Sequence, residues 1–143
     1  MGSDLRVGDI MTESVVVVPF GKSASEVAKI MKKHNIGSVI VVSDLNNKQA
    51  KGIVTERDLV LKIVAEGKDP NTLKAEEIMN SPLRVVRPDT TIEDASKAMK
   101  ENKIKRLPVV NDNNALIGMI SDGDISRVFP AVIGLVEEKA AIE

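Results

Sequence analysis

The sequence predicts an α/β (α+β) fold in which two β-α-β-β-α repeats pack together with pseudo-two-fold symmetry. Two observations predict it: the second half repeats the residue pattern of the first, and in both halves β-branched segments alternate with capped amphipathic helices. The 143 residues, 43% hydrophobic and 29% charged, provide enough apolar side chains for a core. A half of about 65 residues buries too little apolar surface to be stable alone, so the halves should share that core.

The internal repeat is carried by residues that recur at a nearly constant spacing. The matched pairs are Ile10-Met11 with Ile78-Met79, Pro19 with Pro88, Met31 with Met99, Val41-Val42 with Val109-Val110, and Gly52 with Gly118. The largest change of spacing falls in a polar turn, residues 43–51 against 111–117, where loops tolerate a change of length. Duplication of one unit is therefore the simplest explanation.

Each half is predicted to contain a first strand, a capped helix, two further strands and a closing helix. Ser23-x-x-Glu26 and Thr91-x-x-Asp94 are capping boxes, and the apolar residues after each fall on one helix face. The predicted strands are residues 15–18, 38–42 and a segment from Gly52 in the first half, and 83–86, 106–110 and a segment near Leu116 in the second. The apolar residues of the first closing helix are Leu59, Val60, Ile63 and Val64.

These elements predict the organisation of the chain. We expect a first repeat at residues 7–67, a linker at 68–75, a second repeat at 76–130 and a C-terminal tail at 131–143. The linker is indicated by Gly67, Asp69-Pro70 and Asn71, which favour turns. The tail follows Pro130 and is predicted to form a helix over residues 131–139.

The composition excludes several classes of function. A formal charge of -1 and a pI near 5.9 provide no global field for nucleic acid or an anionic membrane, and the lack of Trp and Tyr argues against base stacking. With no Cys and one His, His34, the chain has no thiol nucleophile and no Cys/His zinc pattern. We expect no metal site; the alternative is Mg²⁺ held with a bound nucleotide by Glu56 and Asp58 or by Asp122 and Asp124, which are also acidic residues of a first helical turn. The sequence has neither a membrane-length apolar segment nor the features of a signal peptide, and we expect a cytoplasmic protein.

The strongest local signal is a motif that occurs once in each half. It reads Gly-Ile-Val-Thr-Glu-Arg-Asp at residues 52–58 and Gly-Met-Ile-Ser-Asp-Gly-Asp at residues 118–124. A hydroxyl residue ends a strand and starts a helix, where free N–H groups favour a phosphate, and the Asp one turn later is an acceptor for a ribose diol. Alternatively, Thr55-x-x-Asp58 and Ser121-x-x-Asp124 are capping boxes without a ligand. Two copies at matched positions favour a nucleotide site.

With these motifs, Asp9-Ile10-Met11-Thr12 and the segment Ile-Lys-Arg-Leu-Pro-Val-Val at residues 104–110 resemble a tandem pair of cystathionine β-synthase (CBS) domains, or Bateman module. The resemblance covers residues 7–129. Similar pairs accompany inosine monophosphate dehydrogenase, chloride channels, transporters and AMP-activated protein kinase, generally as sensors of adenine nucleotides or related adenosyl ligands. It implies ligand sites in the clefts between the repeats and association as flat homodimers.

The resemblance implies one pocket built on the second motif. The residues that would hold ribose or phosphate are Ser121, Asp124, Lys105 and Arg106. Those that would enclose the base are Met119, Ile36 and Val16, with the backbone near Ser14 and Gly37 reading its edge.

The resemblance implies a second, pseudo-symmetric pocket on the first motif. Its residues would be Thr55, Asp58, Ile53, Ile104 and Val85. This pocket has fewer cations, because Gly37 and Ser38 stand at the places of Lys105 and Arg106; Arg57, opposite Gly123, would compensate in part. We therefore expect unequal sites, with the Ser121/Asp124 pocket the tighter one for a phosphorylated ligand.

The predicted function is a stand-alone regulatory module that binds an adenine nucleotide or adenosyl ligand and signals to an unknown partner protein. AMP is the first candidate, followed by ATP, ADP, NAD and S-adenosylmethionine. No cofactor is required and no enzyme activity is expected, because the sequence has no nucleophile paired with a base and no Gly-rich phosphate loop. A homodimer would use apolar faces near residues 59–64 and 125–136. Two alternatives remain open: an interaction module without a ligand, and an accessory regulator of an inosine monophosphate dehydrogenase-like enzyme.

Overall fold

The fold is described over residues 5–128 of a computed structural model. In chain order its elements are α1 (Val7–Ile10), β1 (Val17–Pro19), α2 (Ala24–His34), β2 (Ser38–Val42), β3 (Ala50–Thr55), α3 (Glu56–Leu59), a π-helical turn (Val60–Val64), α4 (Ala75–Ile78), α5 (Ile92–Asn102), β4 (Arg106–Val110), β5 (Leu116–Ser121) and α6 (Asp122–Val128). This mixed α/β architecture agrees with the predicted fold class. The helix predicted over residues 131–139 lies outside the described residues.

The chain forms two compact units. The first, which we call the continuous unit, is Val16–Leu83, and the second, the split unit, combines Met1–Val15 with Arg84–Glu143. The opening segment of the chain therefore packs with the second sequence repeat, as the hydrogen bonds from Val7 N to Thr90 O and from Gly8 N to Pro88 O show (2.9 and 2.8 Å). In the same way α4 belongs to the unit that contains the first repeat.

The continuous unit is built on a three-stranded sheet of order β1-β2-β3. β1 runs parallel to β2, with Val18 opposite Val41, and β3 runs antiparallel, with Val54 opposite Val39. These four valines are buried and pack against the apolar face of α2, against Ile63 and against Ile78 of α4. The β-branched composition that predicted strands is what fills this core.

The split unit has a core of the same kind on a smaller sheet. β4 and β5 pair antiparallel, with Leu107 opposite Ile120, and both side chains are fully buried. α5, α6 and α1 cover this pair with Met99, Ile125 and Val7, which are also buried. Each unit therefore has its own apolar cluster.

The strand predicted over residues 83–86 is wrong: the structure forms only a single parallel bridge, Val86 to Val109. Val86 donates to Pro108 O and accepts from Val110 N, both at 3.0 Å. The corresponding strand in the continuous unit continues, because Phe20 N donates to Val42 O (3.0 Å). The bridge from Val86 to Val109 matches the pair of Val18 and Val41, so the structure aligns Pro88 with Phe20, whereas the sequence repeat predicted an alignment with Pro19. Pro88 has no N–H for this bond. Pro108 likewise lacks a donor where β2 has Ile40, so the ladder cannot extend.

The two predicted helix starts are found at the predicted residues. Glu26 N donates to Ser23 Oγ at 3.1 Å and Ser23 N to Glu26 Oε1 at 3.2 Å, which is a complete capping box. Thr91 accepts from Asp94 N at 3.1 Å and caps α5 from one side. Both helices end in a left-handed residue, Asn35 (φ 53°) and Lys103 (φ 54°). Local sequence signals therefore fix these two helices.

The closing helix of the first repeat differs from the prediction. It begins as α3 and continues as the π-helical turn, which widens the helix. Of its four predicted apolar residues only Ile63 is buried, whereas Val60 and Val64 are 54% and 74% exposed. The neighbouring Leu61 is 45% exposed. No helix within residues 5–128 is long and apolar enough to span a membrane.

Candidate functional site

Each sequence motif forms a turn from a strand into a helix. Thr55 ends β3 and caps α3, and Ser121 ends β5 just before α6. The first helical N–H is bonded to the entry of the neighbouring strand: Glu56 N to Gly37 O (3.0 Å) in one unit. In the other it is Asp122 N to Lys105 O (2.9 Å). The two turns therefore share this backbone hydrogen bond.

Within each unit the structure places some of the predicted site residues side by side. In the split unit, Arg106 is the register partner of Ser121, and Lys105 is hydrogen-bonded to the turn that carries Asp124. In the continuous unit, Ser38 is the partner of Thr55, and Gly37 is hydrogen-bonded to the turn that carries Asp58. The predicted site residues of the split unit are Ser14, Val85, Ile104, Lys105, Arg106, Met119, Ser121 and Asp124. Those of the continuous unit are Val16, Ile36, Gly37, Ile53, Thr55, Arg57 and Asp58.

The predicted base-contacting residues share one property: they are half-buried apolar side chains. They are Val16, Ile36, Ile53, Val85, Ile104 and Met119. Such side chains keep apolar surface available for a ligand while they remain packed on one side. The predicted cations, Lys105, Arg106 and Arg57, are exposed.

The carboxylate of Asp58 is fully engaged by donors in its own unit. Its Oδ2 accepts from Thr55 N (2.8 Å), Thr55 Oγ1 (2.9 Å) and Asn80 Nδ2 (2.8 Å). Its Oδ1 accepts from the same amide of Asn80 at 3.0 Å and pairs with Lys62 Nζ at 3.3 Å. Only 7% of Asp58 is exposed, so the carboxylate is both buried and satisfied.

These contacts determine the acidity of Asp58. Burial alone would raise the pKa of this carboxyl, but the Thr55 N–H, the Asn80 amide, the Thr55 hydroxyl and Lys62 together hold the pKa below its ordinary value. Asp58 is therefore ionised at neutral pH.

The carboxylate of Asp124 has fewer partners. Its Oδ2 accepts from Ser121 N (2.9 Å), and its Oδ1 forms an ion pair with Arg127. Asp124 N donates in turn to Ser121 Oγ at 3.1 Å. Asp124 is 6% exposed, whereas the side chain of Arg127 is 71% exposed.

Sequence reasoning missed three of these side chains: Lys62, Asn80 and Arg127. Lys62 and Arg127 follow the motif aspartates by four and three residues, a helical spacing that favours an ion pair and was a usable signal. Asn80 lies 22 residues from Asp58 and gave no local signal. Within residues 5–128 no three His, Cys, Asp or Glu side chains group as metal ligands, and His34 is an exposed residue at the end of α2.

Comparison with known proteins gives consistent results. A family model described as the CBS domain matches the chain twice, at residues 7–65 and 75–131. The CBS domain-containing protein YhcV of Bacillus subtilis is 38% identical over 120 residues, which cover 84% of this chain and 82% of that protein.

Two solved structures are similar over nearly their whole length. The CBS domain pair of protein MJ0100, solved in complex with 5′-methylthioadenosine and S-adenosyl-L-methionine, is 30% identical, covers 90% of this chain and 98% of its own, and has a TM-score of 0.72. Hypoxic Response Protein I, solved with two coordinated zinc ions, is 30% identical, covers 87% and 99%, and has a TM-score of 0.77. The protein called hypoxic response protein 1 is from Mycobacterium tuberculosis.

Proposed function

Because the chain belongs to the family of proteins that carry paired CBS domains, we propose that it is a regulatory module that binds an adenosine-containing ligand and transmits its occupancy to a partner protein. The observation that carries the proposal is the duplicated strand-to-helix turn, which presents a hydroxyl and a buried aspartate side by side in each unit. We propose no catalytic step for this protein. We further propose that it is located in the cytoplasm.

The chemistry of the Ser121 turn suits such a ligand. Asp124 is an acceptor for the two hydroxyls of a ribose, and the Ser121 hydroxyl is available to a ribose or phosphate oxygen. The exposed cations Lys105 and Arg106 lie at the neighbouring strand entry, where Arg106 would bind a phosphate with two parallel hydrogen bonds. Half-buried Met119 would contact the base through aliphatic surface.

The related MJ0100 domain pair, bound to two adenosyl compounds in its crystal structure, supports an adenosyl ligand for this chain. Among adenosyl ligands we propose AMP first, then ATP, ADP, NAD and S-adenosylmethionine, because the Lys105 and Arg106 pair favours a phosphate. The ribose hydroxyls are common to all of these, so they do not distinguish the ligands.

Thermal unfolding against a ligand panel tests the proposal. The panel is AMP, ADP, ATP, NAD, S-adenosylmethionine and GMP, and a ligand that binds only the folded state raises the midpoint by mass action. We expect an adenosine compound to raise it, Asp124→Asn to abolish the shift, and Lys105→Ala to reduce it for phosphorylated ligands only. Lys97→Ala is the matched control, because Lys97 is an exposed lysine on α5.

The capping geometry favours a second candidate, an interaction module without a ligand. Each aspartate accepts a hydrogen bond from the backbone N–H of the residue before its helix, Thr55 or Ser121. Such a cap stabilises a helix without any ligand. If no compound raises the midpoint and Asp124→Asn only lowers it, this candidate replaces the first.

We propose that the module is a homodimer through the π-helical turn. Val60, Leu61 and Val64 are 54%, 45% and 74% exposed, so one short helical segment presents three large apolar side chains to solvent. Val64→Lys should shift the mass measured by light scattering from dimer to monomer, because a charge at the centre of an apolar interface is costly. Leu45→Lys, at an exposed residue of a turn outside this surface, is the control and should leave the mass unchanged.

A further inference from the structure

We infer that the two turns are not equivalent ligand sites: Asn80 and Lys62 occupy the carboxylate of Asp58 as internal donors, and only Asp124 accepts a ribose. The inference rests on the proposed function and decides which half of the module the ligand uses. It is carried by the side chains that face each aspartate within its own unit.

In the continuous unit the donors replace what a ribose would supply. A ribose offers two hydroxyl donors to a carboxylate. Asn80 Nδ2 already reaches both oxygens of Asp58, at 3.0 and 2.8 Å, and Lys62 adds a charged donor at 3.3 Å. The Thr55 hydroxyl also donates to Asp58, at 2.9 Å, and so is not free for a ligand oxygen.

These internal donors are held firmly. The backbone of Asn80 exchanges two hydrogen bonds with Ile53, Asn80 N to Ile53 O (2.8 Å) and Ile53 N to Asn80 O (3.1 Å). Lys62 Nζ also donates to Ile78 O (2.8 Å) and to Asn80 Oδ1 (3.0 Å). A ribose would have to break several of these bonds to replace them with bonds of the same kind, so it would gain little.

The split unit has the same backbone without these donors. Thr12 stands at the position of Asn80 and keeps the backbone bridge, now with Met119 (2.9 Å in both directions). Its side chain is exposed, and the described part of the chain shows no hydrogen bond from it to Asp124. Val128 stands at the position of Lys62 and donates nothing.

The one added partner of Asp124 is easily displaced. Arg127 is 71% exposed, and within residues 5–128 its side chain is hydrogen-bonded to Asp124 alone, whereas Lys62 is 40% exposed and has two further acceptors. Ser121 Oγ accepts from Asp124 N, and within residues 5–128 its own proton meets no acceptor. The Ser121 turn therefore has a free donor and a carboxylate with acceptor capacity.

Isothermal titration with three probes, AMP, 5′-methylthioadenosine and S-adenosylmethionine, tests the inference by stoichiometry. We expect one equivalent per chain for the wild type, none for Asp124→Asn and one for Asp58→Asn. The double variant Asn80→Thr/Lys62→Val copies the split unit and should bind a second equivalent. The reverse variant Thr12→Asn/Val128→Lys copies the continuous unit and should bind its single equivalent at least tenfold more weakly.

The outcomes separate this inference from the proposed function. Two equivalents in the wild type, or loss of the single equivalent in Asp58→Asn, would overturn the inference and leave the proposed function standing. Unchanged binding in both double variants would also overturn the inference. If circular dichroism shows that Asn80→Thr/Lys62→Val does not fold, unchanged binding by the reverse variant alone overturns it. Absence of binding for all three probes would overturn the proposed function, and the inference with it.

Discussion

Gly52 is the position at which one added methyl group should disturb the continuous unit most. A Cβ atom built there would lie 2.6 Å from Met79 Sδ, 2.8 Å from Met79 Cγ and 2.8 Å from Asn80 O. The sulfur can move by rotating the side chain, but Asn80 O is backbone and is held by the N–H of Ile53 at 3.1 Å. Gly52→Ala should therefore push the segment of Met79 and Asn80 away from β3.

The expected magnitude follows from the overlap. Real Cβ atoms almost never approach backbone oxygen below 3.0 Å, and forcing an extra carbon into a packed site costs about 1–3 kcal/mol. We expect Gly52→Ala to lower the free energy of unfolding by that amount in a urea titration. The titration should be followed by far-ultraviolet circular dichroism, because the chain has no Trp or Tyr for fluorescence.

Two other glycines provide controls. Gly118→Ala meets Met11 Sδ at 2.6 Å but backbone oxygen only at 3.0 Å, so its cost should be smaller. Gly123 lies in α6 and has its nearest neighbour, Ser121 Oγ, at 3.6 Å; alanine there should be neutral or stabilise by up to about 1 kcal/mol. If Gly52→Ala unfolds at the same urea concentration as Gly123→Ala, the segment is mobile, and the fixed position of Asn80 against Asp58 is wrong.

Three further predictions concern single side chains. Ser23→Ala removes the cap of α2 and should lower the free energy of unfolding by about 1 kcal/mol in the same titration, whereas Ser23→Asp should restore most of it. Leu107→Ala empties a fully buried site and should cost about 2–5 kcal/mol, at the lower end if the core collapses around the alanine; an unchanged free energy of unfolding would contradict its burial. Because the folded pKa of Asp58 is lowered, its stabilisation is present above the unfolded pKa of about 3.9 and is lost as pH falls through the folded pKa. The stability difference between wild type and Asp58→Asn should therefore shrink on acidification below about pH 4, and a constant difference would contradict the assignment.

The sequence was sufficient for features that depend on neighbouring residues. The capping box at Ser23, the cap at Thr91 and the motif turns at Thr55 and Ser121 are contacts over three residues, so their residue types alone predict them. The repeat then transferred each prediction from one half to the other, and the matches to the CBS domain confirm the tandem pair.

Long-range contacts were beyond this reasoning. The bond from Asn80 to Asp58 joins residues in different sequence repeats, and nothing near either residue indicates the other. The strand predicted over residues 83–86 failed because Pro108, which lies in the partner strand, removes a donor that only the pairing requires. Both errors concern a partner that is distant along the chain.

Duplication also explains why the repeat could not show which segments pack together. Met79 lies against Gly52 in the continuous unit, and Met11 lies against Gly118 in the split unit. Because both pairs are Met against Gly, the sequence does not show which methionine packs with which glycine. Residues 80 and 12, which directly follow these methionines, form the same backbone bridge, but their side chains differ: Asn80 donates to Asp58, and residue 12 is Thr. A fold that keeps these backbone bridges while the side chains around each aspartate change can alter which aspartate receives a ligand. We therefore expect the difference in ribose binding between the two turns to depend on residues 12 and 80 and on residues 62 and 128.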